Sequence, residues 1–357
     1  MSVGKANPSI LKDVGRFSRL FLVKDIGISG IRKLREAKAV VVGCGATGTH
    51  VAELLVRMGF GEVSLIDKDY VDISNLYRTS LFTEDDVRAA MPKAVACANA
   101  LRRIDSSVKV KPHVTKLTPT NAEELLGGHD IVIDGTDNYV TRLIINDFSV
   151  KHGIPWVLTG VGTWYGNVWL IDPARNTPCM RCVYGNVSDE DLGNACDVLG
   201  VVPTAVSLVA SLAATLALKH VLGQSDRELT STYFVVDAKR LSIDALRVVR
   251  KPDCPACGKR RFEYLEGPHV EELAKPVCGT KAVEINPPGR VRVDFKRVLL
   301  RAGEGSVVGM SDYTVRVKVG DDVYVTVFSD GRAIVDGVTD PKRATRIYEE
   351  VTGIKLR

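Results

Sequence analysis

Glutamine is nearly missing: Gln224 is the only one in 357 residues. A chain poor in heat-labile amides fits a hot habitat. The first fifteen residues, MSVGKANPSILKDVG, lack the apolar core of a secretory signal, so the expected setting is the cytoplasm. There the eight cysteines are expected to be reduced, metal-bound or catalytic, not structural disulfides. Long basic runs are also absent, and a net charge of +5 gives no reason to expect a nucleic-acid partner. Neither an internal repeat nor a low-complexity tract is present. One stretch is free of charge for 21 residues, Val198–Leu218, long enough to cross a bilayer. It is rich in Ala, Ser and Thr, contains Gly200 and Pro203, and lacks aromatic and basic anchors at both ends. It therefore reads as a helix buried in a core or a subunit interface, with no membrane implied.

What is there centres on Val40–Asn75, VVVGCGATGTHVAELLVRMGFGEVSLIDKDYVDISN. An apolar strand, Ala39–Val42, runs into a glycine turn with Gly43, Gly45 and Gly48. Thr49–Met58 has helical periodicity, and a second strand, Glu62–Ile66, ends at Asp67, 19 residues after the last glycine. In this context the first glycine permits the turn, the second lets the backbone approach a phosphate, and the third lets helix and strand pack closely. The helix N-terminus then offers N–H groups to the anion and the acid accepts from a ribose hydroxyl. A bare packing turn is the plainer reading of the same glycines.

The connection that follows, Asp67–Lys93, is polar and unusually long for a βαβ link. Long ordered loops at the carboxyl edge of a parallel sheet carry function, and Asn75, Arg78 and Lys93 are placed to line that edge. Such cations suit a triphosphate, whose charge moves during phosphoryl or nucleotidyl transfer. Further along, helices are expected over Ser29–Ala37, Ala90–Ile104, Pro119–Leu126 and Tyr139–His152. Strands are expected at Val108–Val110, His129–Asp134, Pro155–Val161, Asn167–Ile171, Thr232–Val236 and Leu241–Val249. Asp137 lies just beyond a strand end, where an acid can hold Mg²⁺ on a nucleotide; an N-cap role for the next helix fits it equally well. Arg16 and Arg19 read as a solvated face.

Cys179-x-x-Cys182 and Cys254-x-x-Cys257 form the strongest metal signal. Two such turns complete a tetrahedral Cys₄ site for structural zinc, with a redox dithiol as the other reading. Cys196 has no such partner and lies in a polar, glycine-containing segment, which suits a nucleophile. Cys44 and Cys97 read as small buried residues. Beyond about residue 266 short strands (Tyr313–Val319, Val323–Phe328) alternate with turns before a last helix, Pro341–Val351. The expected fold is therefore α/β, a doubly wound, mostly parallel Rossmann-like sheet over residues 1–265 with a Cys₄ zinc clip. A small α+β accessory domain takes residues 266–357.

Taken in order, RFSR at 16–19, GCGATG at 43–48, DKDYVDISNLYR at 67–78, Lys93, DGTDN at 134–138, CMRC at 179–182, the segment around Cys196 and CPAC at 254–257 resemble the ThiF/MoeB family. These are the relatives of ubiquitin-activating enzymes that adenylylate ubiquitin-like proteins. The resemblance covers roughly residues 12–265. It implies that Gly43, Gly45 and Gly48 hold ATP, with Asp67 or Asp69 on the ribose. Asn75, Arg78 and Lys93 would contact the phosphates, and Asp137, beside Asn138, would hold Mg²⁺. Arg19 would reach into a neighbouring subunit's site, implying a homodimer. The four paired cysteines would bind zinc, and Cys196 would form a covalent adduct with the carrier. Thr79 and Ala46 depart from the commoner Gln and Gly of the family, and Cys278 opens no rhodanese signature.

The function expected is ATP-dependent adenylylation of the C-terminal glycine of a ubiquitin-like or sulfur-carrier protein ending in Gly-Gly, followed by transfer to Cys196. An NAD(P)-dependent oxidoreductase using the same glycine turn is the alternative, and Arg78, Lys93 and the Cys₄ clip weigh against it. A non-catalytic scaffold would be expected to have lost one of Arg78, Lys93 or Asp137.

Overall fold

The computed structural model describes residues 15–185, 200–267, 273–277, 280–288 and 291–356. Cys196 and Cys278 lie outside them, as does most of the N-terminal stretch before Arg16.

Strand β1 (Lys38–Val42) explains the architecture. Its side chains alternate between two cores: Ala39 and Val41 enter one, Val40 and Val42 the other. A strand covered on both faces needs an unbroken apolar run instead of alternation, and KAVVV supplies it. Around it an eight-stranded sheet runs in the order β3-β2-β1-β4-β5-β6-β7-β8. Here β2 is Glu62–Asp67, β3 Lys109–Val114, β4 Ile131–Asp134, β5 Trp156–Gly162, β6 Tyr165–Ile171, β7 Thr232–Asp237 and β8 Ser242–Arg247. Strands β1 to β5 pair in parallel, and β6, β7 and β8 add on antiparallel. The doubly wound sheet expected from the sequence is thus present, with an antiparallel edge.

Helices α1 (Gly27–Glu36), α2 (Ala46–Met58) and α3 (Lys93–Ile104) pack on one face, and α4 (Tyr139–His152) on the other. The uncharged stretch becomes α5 (Pro203–Val221), the one helix among the described residues long and apolar enough to cross a membrane. One side of it, through Ala205, Val206, Val209, Ala210, Ala213, Ala214 and Ala217, is buried in the first core. The opposite side, with Thr204, Ser207, Leu208, Ser211 and Thr215, is exposed. The core reading of this stretch therefore holds for one face of the helix.

A second, antiparallel sheet of six strands follows, ordered β11-β12-β13-β14-β10-β9. Its strands are β9 (Ala274–Val277), β10 (Ala282–Ile285), β11 (Val307–Met310), β12 (Thr314–Lys318), β13 (Tyr324–Phe328) and β14 (Ala333–Asp336). Val283, Ile285, Val315, Val317, Val325, Val327 and Val335 meet Val298 of α6 (Phe295–Ala302) and Ala344 and Tyr348 of α7 (Pro341–Thr352). Those two helices cover one face. The other face carries Glu284, Thr314, Arg316, Thr326 and Asp336 and meets Lys68, Tyr70 and Ala90 in the first sheet's connections.

Candidate functional site: a glycine turn under an acid–lysine cluster

The glycine turn is held by its own backbone. A Cβ at Gly48 would sit 1.9 Å from the Gly43 carbonyl oxygen, so helix α2 can approach β1 this closely only with glycine there. Gly43 has φ +89°, and a Cβ on it would meet Gly135 O at 2.6 Å, so the DGTDN loop after β4 stacks directly on the turn. Gly45 differs: a Cβ there would meet nothing within 4 Å. Glycine at 45 is not demanded by the packing, and it lies at the N-cap of α2, facing the side from which an anion would come.

Asp67, at the tip of β2, turns inward. Its Oδ2 accepts from the Cys44 backbone N–H at 2.7 Å and its Oδ1 from the Asp69 N–H at 2.8 Å. Burial pushes its carboxyl pKa up, while Lys93 and these two N–H groups pull against that. The acid that faces outward is Asp69, whose side chain is 36% exposed. Burial would raise its pKa too, but Lys68 and Lys93 hold the carboxyl well below the ordinary carboxylate range.

Lys93, the first residue of α3, reaches back to Asp69 Oδ2 at 3.3 Å. Its burial works against the charge, yet Asp69, Asp67 and Asp137 together keep the ammonium protonated far beyond neutrality. The four groups therefore share one electrostatic cluster at the carboxyl ends of β1, β2 and β4. Asn138, not Asp137, is the N-cap of α4: its Oδ1 accepts from Thr141 N at 2.8 Å. Asp137 stays exposed beside it. The loop is fixed from below by Asp134, fully buried, whose Oδ2 accepts from Arg142 Nε at 2.8 Å. Arg142 also donates to the carbonyls of Thr136 and Thr159. Sequence reading missed this pair; the one signal for it is an arginine on the apolar face of α4.

Asn75 is buried, and its side chain closes a capping box with Asp72. Arg78 donates to Ser74 O at 2.9 Å and lies over the Tyr77 ring. The Ser80 N–H, two residues on, donates to Thr49 Oγ1 of α2 at 3.3 Å, which fastens this stretch beside the glycine turn. Arg19 is exposed on the segment leading into α1. Arg16 is not merely solvated: it donates to Ile104 O and pairs with Asp105.

The two cysteine pairs meet as expected. Cys179 Sγ lies 3.6 Å from Cys254 Sγ, and Cys182 Sγ 3.4 Å from Cys257 Sγ, with all four sulfurs within 4.8 Å of one another. A disulfide needs about 2.05 Å, whereas sulfurs about 2.3 Å from a central metal in a tetrahedron lie some 3.8 Å apart. The donor set fits a thiolate-bound metal. Cys44 and Cys97 are fully buried, as expected.

Fold and site together define a nucleotide-binding α/β protein with a four-cysteine cluster. The ThiF family profile matches residues 17–256, and the chain belongs to that family. It is 37% identical over 341 residues to the sulfur carrier protein ThiS adenylyltransferase of Bacillus subtilis, covering 95% of this chain and 99% of that one. It is 30% identical over 260 residues to the SAMP-activating enzyme E1 of Haloferax volcanii, covering 72% and 94%. Among solved structures, E. coli MccB with ATP aligns with a TM-score of 0.61 at 25% identity, over 68% of this chain and 74% of that one.

Proposed function

We propose that this protein adenylylates the C-terminal glycine of a ubiquitin-like or sulfur-carrier protein ending in Gly-Gly, with residues 1–265 as the adenylation domain and 266–357 as an accessory. The observation that carries this reading is the partly buried ammonium of Lys93, 3.3 Å from Asp69 and drawn also by Asp137 and by Asp67, the acid that binds the glycine turn's backbone. A phosphate-binding turn alone would serve a dinucleotide equally well. A lysine and acids held over it suit a triphosphate and a metal ion, and the activities named for the relatives agree. The nicotinamide alternative has no such support.

In the proposed reaction the glycine turn and the α2 N-terminus seat the phosphates, and Asp69 accepts from the ribose, since Asp67 is committed to the turn's backbone. The carrier's carboxylate, ionised at neutral pH, attacks the α-phosphorus. The bond to the bridging oxygen breaks, pyrophosphate leaves, and an acyl-adenylate remains. Lys93, Arg78 and Asn75 hold the phosphates in line for attack. Mg²⁺ on Asp137, beside Asn138, would supply charge neutralisation at the pyrophosphate. Arg19 acts from the second subunit of a homodimer. Leu22, Val23 and Ile28, exposed along the same segment, are apolar surface such an interface would cover. Zinc in the four-cysteine cluster would be structural, since four protein thiolates leave no open position. Cys196 then accepts the acyl group: its thiolate attacks the carbonyl, AMP leaves, and a thioester forms.

ATP–pyrophosphate exchange tests this against each small β-grasp protein of the same organism that ends in Gly-Gly. Exchange that requires one of them is expected. Exchange with none, or tight NAD(P)⁺ binding without ATP binding, overturns the reading. A Cys196→Ala variant is expected to keep exchange and lose the hydroxylamine-labile adduct; full downstream transfer by that variant overturns the covalent step.

A further inference from the structure

The C-terminal sheet is not hung on the outside of the molecule. Its polar face grips one short ribbon. Residues 69–71 and 91–93 pair antiparallel, with Lys93 N donating to Asp69 O and Val71 N to Met91 O, both at 2.8 Å. This ribbon carries Asp69 on one arm and Lys93 on the other. Four residues of the C-terminal sheet fasten it. Glu284 of β10 accepts from Lys68 Nζ at 2.7 Å, and Lys68 in turn lies 3.5 Å from Asp69. Arg332, just before β14, donates to the carbonyls of Lys68 and Val114, each at 3.0 Å, closing the carboxyl ends of β2 and β3 together. Arg316 of β12 pairs with Asp336 at 3.1 Å, hydrogen-bonds Tyr70 Oη, and lies between the Tyr70 and Tyr324 rings. Thr314, fully buried, donates to the carbonyl of Ala90 at 2.5 Å.

That last bond falls on a strained residue. Ala90 has φ +45°, a conformation that costs a non-glycine residue about 1 kcal/mol and persists only where its surroundings hold it. The turn at Ala90 sets where Pro92 and Lys93 begin α3. Thus the fastenings from the C-terminal sheet fall on Lys68 and Tyr70, which flank Asp69, on Ala90, three residues before Lys93, and on Val114 at the end of β3. Docking that served only to hold the C-terminal sheet in place would not need to converge on this ribbon.

We propose that the C-terminal sheet is a working part of the nucleotide site, and that Glu284, Thr314, Arg316 and Arg332 are positioning residues that set Asp69 and Lys93 for a nucleoside triphosphate. The inference rests on the adenylylation reading and names a further requirement of it. Lys68, freed from Glu284, has Asp69 as its remaining acid partner, and the Asp69–Lys93 pairing weakens. Loss of the Thr314 bond lets the Ala90 turn relax and shifts Lys93.

The test uses the full-length protein, with ATP-Mg²⁺ binding by calorimetry and ATP–pyrophosphate exchange. E284Q and T314V keep side-chain size and remove one interaction each. Both are expected to raise the ATP Kd and KM about fivefold to tenfold, with kcat within about twofold and circular dichroism unchanged. R332Q is expected to do the same and R332K to restore part of the loss, since an ammonium can donate to one of the two carbonyls but cannot span both as the guanidinium does. Should E284Q or T314V fail to fold, R332K against R332Q still decides. Unchanged ATP Kd and KM in folded variants overturn the inference and leave adenylylation standing. A wild-type protein that binds no ATP overturns both. Equal falls in kcat and folded fraction without a change in Kd reduce the contact to a structural one, which also overturns it.

Discussion

At the scale of single residues, the glycines of one turn answer to different masters. Gly48 is required by packing, since any Cβ there collides with a backbone oxygen at 1.9 Å, whereas Gly45 has open space before it. G48A is expected to unfold or destabilise the protein by roughly 3 kcal/mol or more, because backbone must move. G45A is expected to fold with a thermal midpoint close to wild type and lose ATP affinity by about tenfold or more, since its methyl group would enter the space proposed for a phosphate. Paired thermal melts and ATP titrations check this; a G45A protein that binds ATP normally would separate the turn from the ligand. Asp69 makes the pH argument. Lys68 and Lys93 depress its carboxyl pKa in the folded state below the ordinary 3.8, against the effect of burial. A carboxylate depressed in this way contributes stability that is present above pH 4 and is lost as pH falls through the folded-state value. Wild type is thus expected to exceed D69N in urea midpoint at pH 6, with the gap closing toward pH 3. The side chain is over a third exposed, so water screens the gap to a modest size. A gap that widens on acidification contradicts the arrangement. The sequence alone could nominate Asp67 and Asp69 together, because both stand at the end of the second strand. Which one turns inward is decided by the backbone N–H groups of Cys44 and Asp69, and that information is three-dimensional.

Elements were legible where local signals agree with packing. Helix α4 is found at Tyr139–His152, as expected, because Asn138 caps its start and Gly153, at φ +72°, ends it. Helix α3 begins at Lys93 and not at Ala90, because the Ala90 turn and Pro92 intervene; residues 84–88 form a separate short helix closed by a Thr83–Asp86 capping box. The four-residue strands β9, β10, β11 and β14 were not anticipated, since a run that short carries almost no periodicity. The cysteine pairs were readable from spacing alone because two thiolates on one turn leave few other uses. They make the prediction at this scale: the purified protein is expected to hold one zinc per chain by elemental analysis. C254S is expected to lose it and about 3 kcal/mol of stability, a fall of roughly 6–12 °C in Tm for a domain of this size. Metal content and Tm unchanged in C254S would leave the cluster a set of free thiols.

For the whole molecule, the question is whether one chain contains a complete site. Lys93, Asp69 and Asp137 are gathered by β2, α3 and the loop after β4 of the same chain, while Arg78 is turned onto Ser74 O and the Tyr77 ring. Arg19 stands apart, exposed on a segment whose Leu22, Val23 and Ile28 also face solvent. A symmetric dimer with the arginine working in trans makes a quantitative demand. R19A and R78A variants are each expected to be nearly inactive. Mixed in equal amounts and allowed to exchange subunits, half of the dimers become hybrid. In each hybrid the R19A subunit supplies an intact Arg78 and receives Arg19 from its partner, while the other site lacks both. Exchange activity should return to about a quarter of the wild-type value per chain. If Arg19 acts within its own chain, or if the protein works as a monomer, mixing restores nothing, and sedimentation of the same samples tells those two cases apart.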